Sequence, residues 1–156
     1  MKELYSECIE LLNKRNVTLE DIADCTLFLQ KPYNDNLTVE SVIKEVEAVI
    51  RKREVQYAIL TGINLDMATE EKTLNNNSLI EVINCDYSLY GVDEVLAYGI
   101  CNLYGSIALT NFGYIDKSKP GIIGELNNRK DSCNTFLDDI IGAIAASAAS
   151  RMAHRK

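Results

Sequence analysis

Val92-Asp93-Glu94-Val95-Leu96-Ala97-Tyr98-Gly99-Ile100-Cys101-Asn102-Leu103-Tyr104-Gly105-Ser106-Ile107-Ala108-Leu109 is the stretch on which the fold turns. It is mostly apolar on all sides, and a helix with no polar face belongs inside a larger structure. It therefore predicts a central, buried helix, interrupted at Gly99 and Gly105. Amphipathic patterns lie upstream. Leu4, Cys8, Leu11 and Leu12 form one helical stripe, and Thr18 and Thr38 each read as an N-cap before a further apolar face. A third face runs from Arg53 to about Thr69, with Gly62 expected to kink or split it. Asn75-Asn76-Asn77-Ser78 reads as a turn, with Ser78 capping a short helix through Asn84. Downstream, Leu109 to about Gly124 reads as loop with one turn of helix, and Asn134 or Thr135 opens a last helix over about Phe136 to Arg155. Alternation suited to a strand survives only around Leu79–Ile83. The reading is all-α: a single-domain helical bundle over residues 1–156 with a buried central helix.

Composition narrows the function. The 156 residues are 47% hydrophobic and 25% charged, ordinary values for a globular chain. A net charge of −7 and the absence of tryptophan exclude nucleic acid as the main partner. The start lacks the apolar core of a signal peptide, and no window approaches the roughly 18 apolar residues of a membrane span. The nearest, Ile140 to Ala149, is too short and follows Asp138 and Asp139. The expected location is the cytoplasm, with peripheral contact at the inner face of the membrane. The basic end, Arg151-Met152-Ala153-His154-Arg155-Lys156, serves either to complement a helix dipole or to dock on anionic lipid. Five cysteines, an odd number with no close pair, and a single histidine, His154, argue against disulfides, a Cys/His zinc site and a histidine-centred triad. Most of the thiols are expected to be buried and free.

The acids carry the remaining signal. Glu40, Glu45 and Glu47 lie at helical spacing on polar faces and read as solvated. Three later groups have apolar neighbours: Asp93-Glu94 at the start of the most hydrophobic stretch, Asp138-Asp139 between Phe136-Leu137 and Ile140-Ile141, and Asp116 in a loop with Lys117, Lys119 and Pro120. Adjacent acids on a helix point about 100° apart, so one of each pair can face inward. Helix capping accounts for one pair alone. Carboxylates converging from several helices are the usual way to hold a hard, oxygen-preferring divalent ion, and nearby lysines would meet a phosphate.

At these residues the sequence resembles the bacterial phosphatidylglycerophosphatase A family, which reads Trp-Asp-Glu, Asp-x-x-Lys-Pro and Leu-Asp-Asp in that order. Val92-Asp93-Glu94, Asp116-Lys117-Ser118-Lys119-Pro120 and Leu137-Asp138-Asp139 match, with valine in place of tryptophan and Ile122 where a second proline stands in the family. Leu89 to Val95 and Gly105 to Tyr114 are similar to its soluble Gram-positive, low-temperature-requirement C-like branch.

The resemblance implies a Mg²⁺-dependent phosphatase that removes the terminal phosphate of phosphatidylglycerophosphate. On it, Asp93, Glu94, Asp138 and Asp139 are the expected metal ligands, Asp116 a further ligand or the base, and Lys119 and Lys117 the phosphate-neutralising cations. The partner is then a phospholipid headgroup or a small phosphomonoester, and assembly into a homo-oligomer is compatible with the sequence. Two alternatives stand beside it. One is a non-enzymatic helical binding or regulatory module linked to membrane lipid adaptation. The other is an all-α nucleotide pyrophosphohydrolase, disfavoured because Glu70-Glu71 is not followed by a further acid at the required spacing.

Overall fold

The computed structural model describes residues 3–155. Among the described residues the chain forms nine helices and no strand: α1 (Leu4–Lys14), α2 (Leu19–Gln30), α3 (Val39–Ile50), α4 (Arg53–Glu71), α5 (Asn77–Asn84), α6 (Val92–Cys101), α7 (Ser106–Ser118), α8 (Ile122–Asn128) and α9 (Leu137–Ala153). The early starts follow local chemistry. Thr18 and Thr38 accept from the backbone N–H of Asp21 and Ser41, whose side chains accept from the cap N–H in return. Asn76, not Ser78, caps α5, which includes the brief alternation at Leu79–Ile83.

The bundle does have a buried central helix, but it is α9 rather than the Val92–Leu109 stretch. Every α9 residue from Leu137 to Ser150 is buried, and α2, α3, α4, α6, α7 and α8 all pack on it. Its Gly142, Ala143, Ala145, Ala146, Ala148 and Ala149 explain this, since small side chains let neighbouring helices approach closely from every side. The Val92–Leu109 stretch instead breaks at Asn102–Gly105 into α6 and the start of α7. Its Val92, Val95, Tyr98, Ile107 and Leu109 are exposed while Ala97, Ile100, Cys101 and Ala108 are buried.

Other expectations are corrected as well. α4 runs unbroken through Gly62, because glycine there serves packing: a Cβ would land on Ile140 Cδ1 and lie 3.1 Å from Phe136 Cβ. The segment 109–124 is helical over most of its length, with Asp116 on the last turn of α7 rather than in a loop. Glu45 is buried and paired with Arg151 and Arg155, so it is not a solvated surface acid. That pairing ties two of the basic groups at the end of α9 to α3; Lys156 lies outside the described residues. Cys8, Cys25, Cys101 and Cys133 are buried, Cys85 is exposed, and all five are free thiols. Among the described residues no helix is long and apolar enough to cross a membrane.

Candidate active site

α6 and α9 both begin, and α7 ends, at one end of the bundle. The first turns of α6 and α9 carry Asp93-Glu94 and Asp138-Asp139, and the last turn of α7 carries Asp116. The positive ends of two helix dipoles therefore meet four of the five carboxyls, which lowers the cost of gathering them. Asp93, Asp138 and Asp139 are buried, and Glu94 and Asp116 are half-buried at the mouth. Lys119 ends α7 in a left-handed conformation, φ 48°. Its Nζ lies 3.6 Å from Asp116 Oδ1 and 3.9 Å from Asp138 Oδ2, which makes it the cation between α7 and α9. Lys117 is exposed and takes no part in these ion pairs. The structure thus brings together six of the seven residues singled out from the sequence and leaves Lys117 at the surface.

Burial and mutual repulsion set the electrostatics. Burial is the main cause that raises the Asp139 carboxyl far above the ordinary range, followed by the charge of Asp138, and its hydrogen bonds to Asp93 and Asp116 act in the same direction. Ionising Asp139 in this setting is therefore costlier than ionising a solvent-exposed aspartate. Asp138 is also raised, by burial first, with Lys119 opposing. Glu94 is raised by burial and by Asp116 and Asp93.

A further acid at the cluster was not evident from the sequence. Asp86, in the turn between α5 and α6 at φ 50°, interacts electrostatically with Asp93, Lys119, Asp116 and Glu94, and is raised chiefly by desolvation. Although its surface is largely accessible, its carboxyl faces the cluster. Its only sequence signal was an acid in a short turn just ahead of Asp93.

The surroundings hold the site in shape. The N-cap of α9 is Phe136, not Asn134 or Thr135: buried Asp66 of α4 accepts from the N–H of Phe136 (3.0 Å) and Leu137 (2.9 Å). Burial raises Asp66 to about 7 against the pull of those two N–H groups. The preceding turn is fastened by Arg15, which donates to Glu70 (2.6 Å), the Cys133 carbonyl (2.7 Å) and Asn134 Oδ1 (3.1 Å). Glu70 in turn accepts from the Cys133 N–H at 2.7 Å, so the acid of the Glu70-Glu71 pair is structural. On the other side, Gly124 of α8 lies so close to the Lys119 turn that a Cβ would be 2.6 Å from the Lys119 carbonyl oxygen.

The donors suit a hard divalent ion in chemistry. All are carboxylate oxygens, and among the described residues Asp138 Oδ1 is buried with no hydrogen-bond partner. As placed, Asp139 is closed onto Asp93 and Asp116 by carboxyl–carboxyl hydrogen bonds, and Asp138 onto Lys119. Among the described residues no three acid, His or Cys side chains surround a common point as a finished ligand set. Lys119 supplies positive charge beside Asp116 and Asp138 in this arrangement.

Comparison with known proteins agrees with the motifs. The family model for phosphatidylglycerophosphatase A matches residues 13–154. The chain belongs to the phosphatidylglycerophosphatase A family. YutG of Bacillus subtilis (strain 168) is 54% identical over 145 residues, covering 92% of this chain and 87% of that protein. The crystal structure of low temperature requirement C protein from Listeria monocytogenes is 52% identical with a TM-score of 0.94, over 97% of this chain and 96% of that one. A Bacillus stearothermophilus protein is 53% identical with a TM-score of 0.95, over 99% and 96% of the two chains. The match spans α2 to α9, so the acid cluster lies on the family's own fold rather than on an addition to it.

Proposed function

We propose that this phosphatidylglycerophosphatase A family member hydrolyses the terminal phosphomonoester of phosphatidylglycerophosphate, with magnesium as its cofactor. The observation that carries the reading is the convergence of Asp93, Asp116 and Asp138-Asp139 from three separate helices onto one buried end, with Lys119 between them. Family membership supports a phosphatase. In the reaction, water attacks phosphorus, the bond from phosphorus to the glycerol oxygen breaks, and that oxygen takes up a proton. The products are phosphatidylglycerol and inorganic phosphate.

Asp93, Glu94, Asp138 and Asp139 are the side chains that would hold the ion, which when bound supplies Lewis-acid stabilisation of the phosphoryl oxygens. Asp139 must release its proton to act as a ligand, so affinity for the ion rises with pH. Asp116, half-exposed at the rim, is positioned to take a proton from the attacking water. Lys119 neutralises charge on the transferred group and steadies Asp138 between turnovers. A lipid substrate would be met at the membrane surface, and Leu89, Val92 and Val95 are the exposed apolar side chains beside Asp93 in the chain.

The test is phosphate release from phosphatidylglycerophosphate in mixed micelles, beside glycerol 3-phosphate and nucleotides, with Mg²⁺ and with a chelator. Metal-dependent release greatest for the lipid is the expected result. Release from none of them, with no shift in thermal stability on adding Mg²⁺, would favour a binding module instead.

A further inference from the structure

The acid cluster is not isolated from the rest of the surface. A small cavity of about 80 Å³ has both Asp86 and Asp138 in its wall, together with Arg129, Ser132 and Asn134. The same three residues also line a larger, open cavity of about 360 Å³ that Lys14 and Arg15 complete. The two cavities share Arg129, Ser132 and Asn134 as a common wall. Its charge is opposite to that of the molecule: Lys14, Arg15 and Arg129 face a single carboxylate, Asp131, on a chain of net charge −7.

The donors there are not all spoken for. Arg15 is committed to Glu70, the Cys133 carbonyl and Asn134, and so shapes the floor. Arg129 spends Nη1 on the Arg15 carbonyl at 3.1 Å, leaving its other nitrogens to the cavity. Lys14 is exposed and makes no ion pair among the described residues. Ser132 Oγ accepts from Asn134 Nδ2 at 2.9 Å, so its own O–H is free to donate. An arginine, a lysine and a hydroxyl converging on a polar cleft are the groups that recognise a phosphate oxyanion.

We infer that the cleft of Lys14, Arg129 and Ser132 is a second anion subsite, which takes the phosphodiester of a substrate whose terminal phosphomonoester lies at the acid cluster. This rests on the proposed phosphatase reading and deepens it by naming the residues that would take the second phosphate of the headgroup. A monophosphate fills one subsite only, whereas the bis-phosphorylated headgroup fills both and gains positioning from the second.

The subsite is tested apart from catalysis by calorimetric titration of glycerophosphoglycerol, a phosphodiester without a terminal phosphate, in metal-free buffer. The wild-type chain should bind it, more weakly as salt rises, and Lys14→Glu and Arg129→Ala should each weaken binding by about tenfold. Lys14→Glu changes an exposed side chain that holds no other part of the cleft in place, so its result stands even where Arg129→Ala disturbs the Arg15 turn. No binding to the wild type, or binding by both variants as tight as that of the wild type, overturns the inference. Binding of inorganic phosphate but not of the diester overturns it too, since the cleft then takes the free ion. In a parallel assay, the ratio of kcat/KM on phosphatidylglycerophosphate to that on glycerol 3-phosphate should fall about tenfold in Lys14→Glu. Absence of turnover on every substrate, with diester binding intact, would refute the phosphatase reading and leave the anion subsite standing.

Discussion

Asp139 is buried against Asp93, Asp116 and Asp138, and each neighbour makes its ionised form more costly. Such a group is poorly suited to holding the fold together and well suited to exchanging a proton for a cation. Asp139→Asn keeps the shape and removes the charge. Metal-dependent phosphate release should drop by about a hundredfold or more, while the melting temperature without metal is kept or raised. Collapse of the fold along with activity would mark Asp139 as a structural cap instead. Asp66 is the contrasting case, since its carboxylate accepts from two N–H groups at the start of α9. Asp66→Ala leaves those donors buried without a partner, and should cost about 1–2 kcal/mol, or roughly 3–8 °C in melting temperature. The sequence displayed Asp93, Asp116, Asp138 and Asp139 because each has conspicuous apolar or lysine-rich neighbours. It hid Asp66 and Asp86, whose partners are distant in the chain and whose local sequence is ordinary.

At the scale of elements, what was legible was local. The capping boxes at Thr18 and Thr38 close within four residues, so the sequence alone predicts them. The choice of central helix was not local. Val92–Leu109 has the larger side chains, yet they leave α6 and α7 with outward-facing apolar groups. The small residues of α9 allow six helices to crowd around it. The glycines misled for the same reason: Gly62 and Gly124 are close-approach positions inside or beside helices, not breaks. Gly124→Ala tests this, because its Cβ would push against the Lys119 carbonyl, a backbone atom that cannot swing aside. Moving that turn displaces Lys119 from Asp116 and Asp138, and kcat should fall by about tenfold or more. Thermal melting should show only a modest loss; unchanged kcat would mean that the Lys119 turn is not positioned by α8.

Across the whole molecule, several buried acids bind protons more tightly folded than unfolded. Asp66 sits at about 7, and Asp138 and Asp139 are raised as well, against an unfolded value of about 3.9. Folded values above unfolded ones mean that this contribution to stability is complete below about pH 4 and is lost as pH rises through the folded values. In metal-free buffer the melting temperature should therefore be lower at pH 8 than at pH 5. Magnesium should recover part of the loss at pH 8, since it binds the ionised carboxylates of the folded state alone. A melting temperature that rises from pH 5 to pH 8 without metal would contradict these protonation states. The residues of the acid cluster were legible in the sequence as three short motifs, but their meeting at one end of the bundle depends on where α6 and α9 begin and where α7 ends.

Phosphate release from phosphatidylglycerophosphate by the wild-type chain and by Asp139→Asn, each with and without Mg²⁺, tests the central claim most directly. The predicted result is Mg²⁺-dependent release by the wild type and almost none by a variant that melts at the same temperature or higher. Equal release by the two forms, or release by the wild type that a chelator leaves untouched, would contradict it.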